Sequence, residues 1–371
     1  MLFRITASLA ATAICTVAAN TALAGPTYEN ASGGSFTFYG QFDPAFVTFD
    51  DGVSTYDELV DNSSSNSRVG ILLRQPFGSN ELRFRFETGL GLRSSAGVSQ
   101  TSTPKGVDWD RTDLRHVDFI YETASFGTFY LGQGSMASDG IGDRSLAGTG
   151  LGASVSIGDI AGGYELRTSA GALSGISIGD AFVSLDGSRR GRIRYDTPTF
   201  NGFTLSVAYG QDILTSGNTD DFYDIGLGYS TELSGGMEIE AGLGYQVRER
   251  DGAPDREDTF ASFTFYMPSG FNATFAAGDR NTNGDYYYIS FGYRRDFFGI
   301  GETAFAVDFY SGNDFVSVGG EAETYGLAIT QDIDKLNVEA YFGYRDYSYT
   351  DTTAVSYLDA ESFVIGARWR F

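Results

Sequence analysis

The chain has one Cys, one His, two Trp and 7 Pro in 371 residues, and lysine occurs only at Lys105 and Lys335. Each scarcity excludes something. Cys15 lies so near the start that the rest of the chain has neither a disulfide nor a thiolate metal site to stabilise it. A single histidine, His116, leaves a hydrolytic site short of its usual general base. His116 shares a strand face with Asp118, yet no Gly-x-Ser-x-Gly element lies beside it. With lysine nearly absent, arginine carries almost all the positive charge, as fixed and directional cations. Acids outnumber bases 48 to 25 for a net charge of −23, which argues against nucleic acid as a partner, since nothing here could neutralise a run of phosphates. No apolar run is long enough to cross a bilayer as a helix.

The first 24 residues read as an export signal. Arg4 supplies the positive start, Ile5 to Ala18 the apolar stretch, and Ala22-Leu23-Ala24 the small-x-small cleavage site. Residues 1–24 are therefore expected to be removed, Gly25 to open the mature chain, and 25–371 to form one domain.

What the sequence has in quantity is glycine (49), tyrosine (23) and phenylalanine (30), and past the signal they are arranged in strict two-residue alternation. At the C-terminus Phe363, Ile365, Ala367, Trp369 and Phe371 alternate with a face bearing Arg368 and Arg370. Leu82, Phe84, Phe86 and Leu90 alternate with Arg83, Arg85, Glu87 and Gly89. That is the period of β-strands with one apolar and one polar face. A soluble sandwich alternates too, with its polar face to water. Here aromatics cap the apolar faces at strand ends, as at Phe203/Tyr209 and Tyr223/Tyr229, which is how interfacial girdles are built. Strands in lipid must close on themselves. Sixteen alternating segments between residues 35 and 371 predict an all-β fold, a 16-stranded antiparallel transmembrane β-barrel. Stretches 50–66, 94–111 and 312–318 read as outer loops. Residues 134–188 stand apart, rich in Gly, Ala and Ser and weak in alternation, with acids Asp139, Asp143, Asp159, Glu165, Asp180 and Asp186 against Arg144 and Arg167. This segment reads either as a surface loop or as one folded into the lumen, since sixteen strands enclose more space than wall side chains fill.

Several stretches carry a family resemblance: FTFYGQFDPAF (36–46), SRVGILLRQPFGSNELRFRFETGLG (67–91), FGTFYLGQG (126–134), RRGRIRYDTPTFNGFTLSVAYG (189–210) and VIGARWRF (364–371). The chain resembles the trimeric general-diffusion porins of the Gram-negative outer membrane, most of all the alphaproteobacterial type. The resemblance implies a homotrimer in outer-membrane lipid and lipopolysaccharide, an inward-folded third loop over 134–188, and passive passage of ions and small hydrophilic solutes. It implies a basic pore wall, matched here by Arg74, Arg83, Arg85, Arg190, Arg192 and Arg194, facing loop acids matched by Asp139, Asp143 and Asp159. Many relatives carry Arg where this chain has Gln133. Phe371 matches the terminal residue that the barrel-assembly machinery reads.

The alternatives are a substrate-selective channel for sugars or small organic acids, an outer-membrane hydrolase built on His116, and a secreted soluble β-protein. The selective channel would need an inward aromatic ladder, for which Tyr286, Tyr288, Tyr310 and Tyr341 are the candidates. No cofactor is implied; Asp220-Asp221 and Asp255/Glu257/Asp258 are where outer loops could hold Ca²⁺. The export reading is checked by mass spectrometry of the mature protein: its N-terminus is expected at Gly25, and a chain retaining residues 1–24 would refute the cleavage.

Overall fold

The computed structural model describes residues 25–371, so Ala22 and Ala24 of the cleavage site lie outside the described residues. Nineteen strands join in one antiparallel sheet that closes on itself. The first wall strand, β1, is Ser35–Phe42 continued past a break at Asp43 as Pro44–Asp50. The others are β2 (Arg68–Phe77), β3 (Asn80–Gly89), β4 (Leu114–Thr123), β5 (Gly127–Ser135), β6 (Arg189–Asp196), β7 (Phe203–Gln211) and β8 (Asp221–Glu232). Then follow β9 (Glu238–Glu249), β10 (Arg256–Tyr266), β11 (Phe271–Arg280), β12 (Asp285–Arg295), β13 (Thr303–Asn313), β14 (Glu321–Ile333), β15 (Val338–Thr350) and β16 (Ala360–Arg370). Each pairs with its chain neighbour, and β16 closes the ring on β1 with Phe363 opposite Thr48 and Ile365 opposite Phe46. All sixteen expected segments are present, with ends shifted by a few residues.

Burial follows the alternation with its usual sense inverted. Along β14, Tyr325, Leu327 and Ile329 are exposed while Ala322, Ala328, Thr324 and Thr330 are buried. An exposed apolar face and an inner face of small and polar residues is the arrangement lipid demands. Aromatic pairs bracket that face on β7 and β8, Phe203–Tyr229 at one end (4.4 Å) and Tyr209–Tyr223 at the other (5.2 Å). Leu205, Val207, Ile225 and Leu227 lie between them. Among the described residues no helix is long and apolar enough to cross a membrane.

Two segments expected as loops contain regular structure. The 50–66 stretch holds a strand, Thr55–Asp61, that pairs with the Pro44–Asp50 half of β1, while β2 takes the Ser35–Gln41 half. Its sequence TYDELVD carries no clear strand signal, because Leu59-Val60 breaks the alternation. The 134–188 segment holds a hairpin, Glu165–Arg167 with Leu173–Ser177, and two four-residue helices, Gly158–Ala161 and Ile178–Ala181. The contrast between short turns and long loops is strong in the first half of the barrel and fades later. Only residues 281–284 join β11 to β12 at the outer end, whereas 296–302 join β12 to β13 at the other.

The seam between β16 and β1 generates a prediction. Phe371 exchanges two backbone hydrogen bonds with Gly40 (3.0 and 2.9 Å), and its ring packs on Trp369 and Phe38. Deleting Phe371 removes both bonds and the last aromatic of the stripe. A several-fold fall in heat-modifiable protein in the outer membrane is expected, and normal levels would exclude a role in assembly.

Candidate functional site: the lumen and its inward loop

Past Ser135 the chain turns into the barrel and runs along the inner wall from β8 round to β15. Asp224 on β8 receives the first turn, accepting from the Ala137 and Ser138 amides (3.1 and 2.8 Å) and the Ser138 hydroxyl (2.6 Å). Thr264 on β10 accepts from the Leu146 amide (3.1 Å), and Arg294 on β12 donates to the Leu146 carbonyl (3.0 Å). Asn62 in the first loop donates to Leu151 O (2.9 Å), Tyr310 to Val183 O (2.6 Å) and Tyr286 to Leu185 O (3.3 Å). Small residues on both partners permit this approach. A Cβ on Gly226 would stand 2.4 Å from Ala137 O, and one on Gly343 equally close to Gly152 O.

Between loop and wall lies a hydrophobic core inside the barrel. Tyr164 stacks on Phe49 (4.4 Å), Phe182 meets Tyr347 edge-on (5.3 Å), and Tyr286 stacks on Tyr310 (5.6 Å). Val98, Leu166, Ile178, Leu185 and Phe260 complete it. The four tyrosines expected to line the lumen do point inward, but the loop covers them. Tyr286, Tyr288, Tyr310 and Tyr341 are 2, 5, 0 and 3 % exposed.

The register turns the six wall arginines inward, and most of them meet partners in the wall. Arg83 pairs with Glu122 and with Glu81 (3.1 Å). Arg85 and Arg192 converge on Asp118 at 3.1 and 2.7 Å. Arg194 pairs with Asp196 (2.7 Å) and donates to Met136 O at the root of the loop (2.6 Å). Arg190 lies over the Phe222 ring (4.1 Å). Among the described residues neither Arg190 nor Arg74, exposed near the β2–β3 turn, forms an ion pair. Sequence reasoning missed the counter-charges themselves. Asp118 serves two arginines, and Glu87 serves Arg115 (2.6 Å) and Arg68 (3.7 Å) while accepting from Tyr39 (2.9 Å). The alternation marks Glu87 and Asp118 as inward-facing, but which arginines they meet depends on cross-strand register.

The loop acids Asp139 and Asp143 are electrostatic neighbours, and both face Arg189. Asp139 interacts electrostatically with Arg189 and Arg190 of β6. Asp143 and Asp159 line a cavity of about 320 Å³ with Arg144, Ser145, Ser154 and Ser156 of the loop, Ser64 and Ser65 of the first loop, and Tyr288, Glu339 and Arg368 of the wall. Burial and the Asp143 charge push the Asp159 carboxyl up to about 6.

His116 is buried with Nε2 4.0 Å from Glu87. A Gly-x-Ser-x-Gly run does occur elsewhere, at Gly175-Ile176-Ser177-Ile178-Gly179, between a strand and a helix. Its Ser177 has ordinary extended geometry (φ −83°), caps that short helix, and donates its hydroxyl proton to Asp180 (2.6 Å). Four of the five candidate calcium acids have side-chain partners: Asp220 meets Arg248, Asp258 meets Arg256 and Arg280, Asp221 meets Tyr209 and Gln211, and Glu257 meets Tyr245. Among the described residues no cluster of three His, Cys, Asp or Glu is placed to hold a metal.

A family model described as Gram-negative porin matches residues 7–352. Among solved structures the fold is similar to an anion-selective porin from Comamonas acidovorans, at 14% identity over 91% of this chain and 100% of that one, TM-score 0.58. It is also similar to the trimer form of in-vitro folded OmpT, an outer membrane protein of Vibrio cholerae, at 15% identity over 91% and 99%, TM-score 0.55. A third is Salmonella typhi OmpF in complex with daunomycin, at 12% identity over 93% and 100%, TM-score 0.58. No curated protein matches the chain in sequence.

The internal core generates a prediction about the loop. Phe182 is 1 % exposed between Tyr310 and Tyr347, and truncating a buried Phe to Ala costs about 3–5 kcal/mol. Phe182→Ala is expected to loosen the loop and leave the barrel assembled, giving larger and noisier single-channel currents. Currents like those of the wild type would mean that this core does not hold the loop.

Proposed function

Because the chain belongs to the Gram-negative porin family and forms an outer-membrane β-barrel channel, we propose that it is a general-diffusion pore. It passes ions and small hydrophilic solutes down their gradients, with no chemistry, cofactor or energy source. The observation that carries this reading is the covering of the lumenal tyrosines. A channel selective for sugars would want them exposed along the solute path, whereas of the four only Tyr288, 5 % exposed, reaches the cavity, whose wall is otherwise mostly serines, small residues and charges of both signs. We assign Arg74, Arg83, Arg85, Arg190, Arg192 and Arg194 to the basic wall of the pore, and Asp139, Asp143 and Asp159 to the acidic loop across from it. An outer-membrane hydrolase is disfavoured, since Ser177 bonds to Asp180 and His116 neighbours Glu87.

We infer a homotrimer, consistent with the trimer form of one solved neighbour. The exposed apolar surface of Leu73, Phe77, Leu82 and Phe119 on β2–β4 suits a subunit contact. Lipid and lipopolysaccharide would cover the rest, and the barrel-assembly machinery would insert the chain through its last strand and Phe371.

Planar-bilayer recording tests the reading. Ohmic current steps are expected in simple salt without added solute, and their absence from correctly folded protein would overturn it. The same recordings read the loop acids. The raised Asp159 carboxyl is charged above about 6 and neutral below it, so cation preference should fall as pH drops from 7.5 to 5. Changing Asp143 and Asp159 to Asn should lower it in the same direction at pH 7.5.

A further inference from the structure

We propose that Asp118, a carboxylate sealed within the barrel wall, sets the ion preference of the channel by cancelling one of the two arginine charges gathered around it. The inference rests on the pore reading above and names the residue that tunes it.

The three residues come from three separate strands. Asp118 lies on β4 opposite Arg85 of β3 on one side and Gly132 of β5 on the other. Arg192 lies on β6, also opposite Gly132. Asp118 and Arg192 are therefore two strands apart and meet only because β5 carries no side chain between them. A Cβ on Gly134 would stand 2.8 Å from Arg192 Nη2 and 3.0 Å from Asp118 Oδ2. Across that gap Arg192 Nη2 reaches Asp118 Oδ2 at 2.7 Å. From the other side Arg85 approaches as a fork, with Nε 3.2 Å from Oδ1 and Nη2 3.1 Å from Oδ2.

The partners differ in access to the lumen. The Asp118 side chain is 0 % exposed and that of Arg192 1 %, whereas Arg85 retains 26 %. A permeating ion thus meets Arg85 while the charge that offsets it is out of reach. Two arginines and one aspartate sum to a single positive charge. Arg192 also has anchors independent of Asp118, donating from Nε to Ser135 O (2.9 Å) and from Nη1 to Gly132 O (2.8 Å). Removing the carboxylate charge therefore leaves Arg192 held in place and exposes the lumen to two uncompensated positive charges. Asp118 touches no solute: it is a positioning and field-setting residue.

Asp118→Asn keeps the shape and an acceptor oxygen. In a low-salt gradient its reversal potential should move toward anions, with the anion-to-cation permeability ratio rising about tenfold, about threefold from each ion, for one added charge about 6 Å from the ion path in water. In 1 M salt, where the Debye length is about 3 Å, the shift should collapse. The double variant Asp118→Asn/Arg85→Gln restores the net charge and should return the low-salt reversal potential to near the wild-type value. A purely structural role would move none of these in that order. An unmoved low-salt potential, a shift that persists at high salt, or a double variant further from wild type than the single would each overturn the proposal. Should Asp118→Asn fail to assemble, Arg85→Gln alone decides it, with a similar shift toward cations expected and no shift refuting it. A wild-type protein without any conductance would overturn the pore reading and this inference with it, whereas conductance with an unmoved potential overturns the inference alone.

Discussion

Where β16 meets β1, Phe371 and Gly40 exchange both backbone hydrogen bonds, and the wall has no edge left there. An unpaired backbone group in hydrocarbon costs several kcal/mol, so a sheet in lipid closes or does not insert. The number of strands then fixes the radius, and sixteen strands enclose a space far wider than their own inward side chains fill. The long insertion between β5 and β6 answers that surplus, lying against the wall from β8 to β15.

The result has two apolar regions with the wall between them. The outer one faces lipid and is assembled from alternate residues of every strand. The inner one joins the loop to strands around the wall, with Phe49, Tyr164, Phe182, Tyr310 and Tyr347 among its buried aromatics. A loop held only by solvated hydrogen bonds would exchange them freely with water. One held by buried aromatics cannot leave without exposing them. The polar junction at the break in β1 ties the loop at a further point. There Tyr341 donates to Asp43 (2.7 Å) and accepts from Asn62 (2.9 Å), which also donates to Leu151 O of the loop.

The barrel was legible in the sequence because strand alternation is a local signal and repeats sixteen times. Thr55–Asp61 was not, because Leu59-Val60 interrupts its period over a span of seven residues. The interior of the loop was illegible for a different reason. Its helices and strands are three to five residues long, too short for any periodicity to register. Its core is made by contacts remote in sequence, such as Phe49 with Tyr164. The inward direction of the lumenal tyrosines could be read from their parity, whereas their burial could not, since that depends on what lies over them. The charge partners of the arginines were hidden in the same way. Alternation places Arg85, Asp118 and Arg192 on inward faces, but only the register and the glycines of β5 bring Arg192 and Asp118 together.

That last point changes how charge in such a lumen is to be counted. Arg190, Arg192 and Arg194 stand within five residues on one strand face, and like charges so close repel unless countered. The wall resolves this residue by residue: Asp118 for Arg192, Asp196 for Arg194, and the face of Phe222 for Arg190. An arginine so matched still contributes shape and hydrogen bonds, but much of its field ends on its partner. Neither the number of arginines nor the chain's net charge of −23 therefore fixes the sign that a passing ion meets. That sign follows from charges left over after local pairing, weighted by exposure. On the pore reading proposed above, Arg74 and Arg190, the excess at Arg85, and the loop acids Asp143 and Asp159 are the charges to be counted in it. On the inference drawn above, a carboxylate no ion can touch still bears on selectivity, because removing Asp118 leaves one more unit of positive charge on the exposed Arg85 side of the wall.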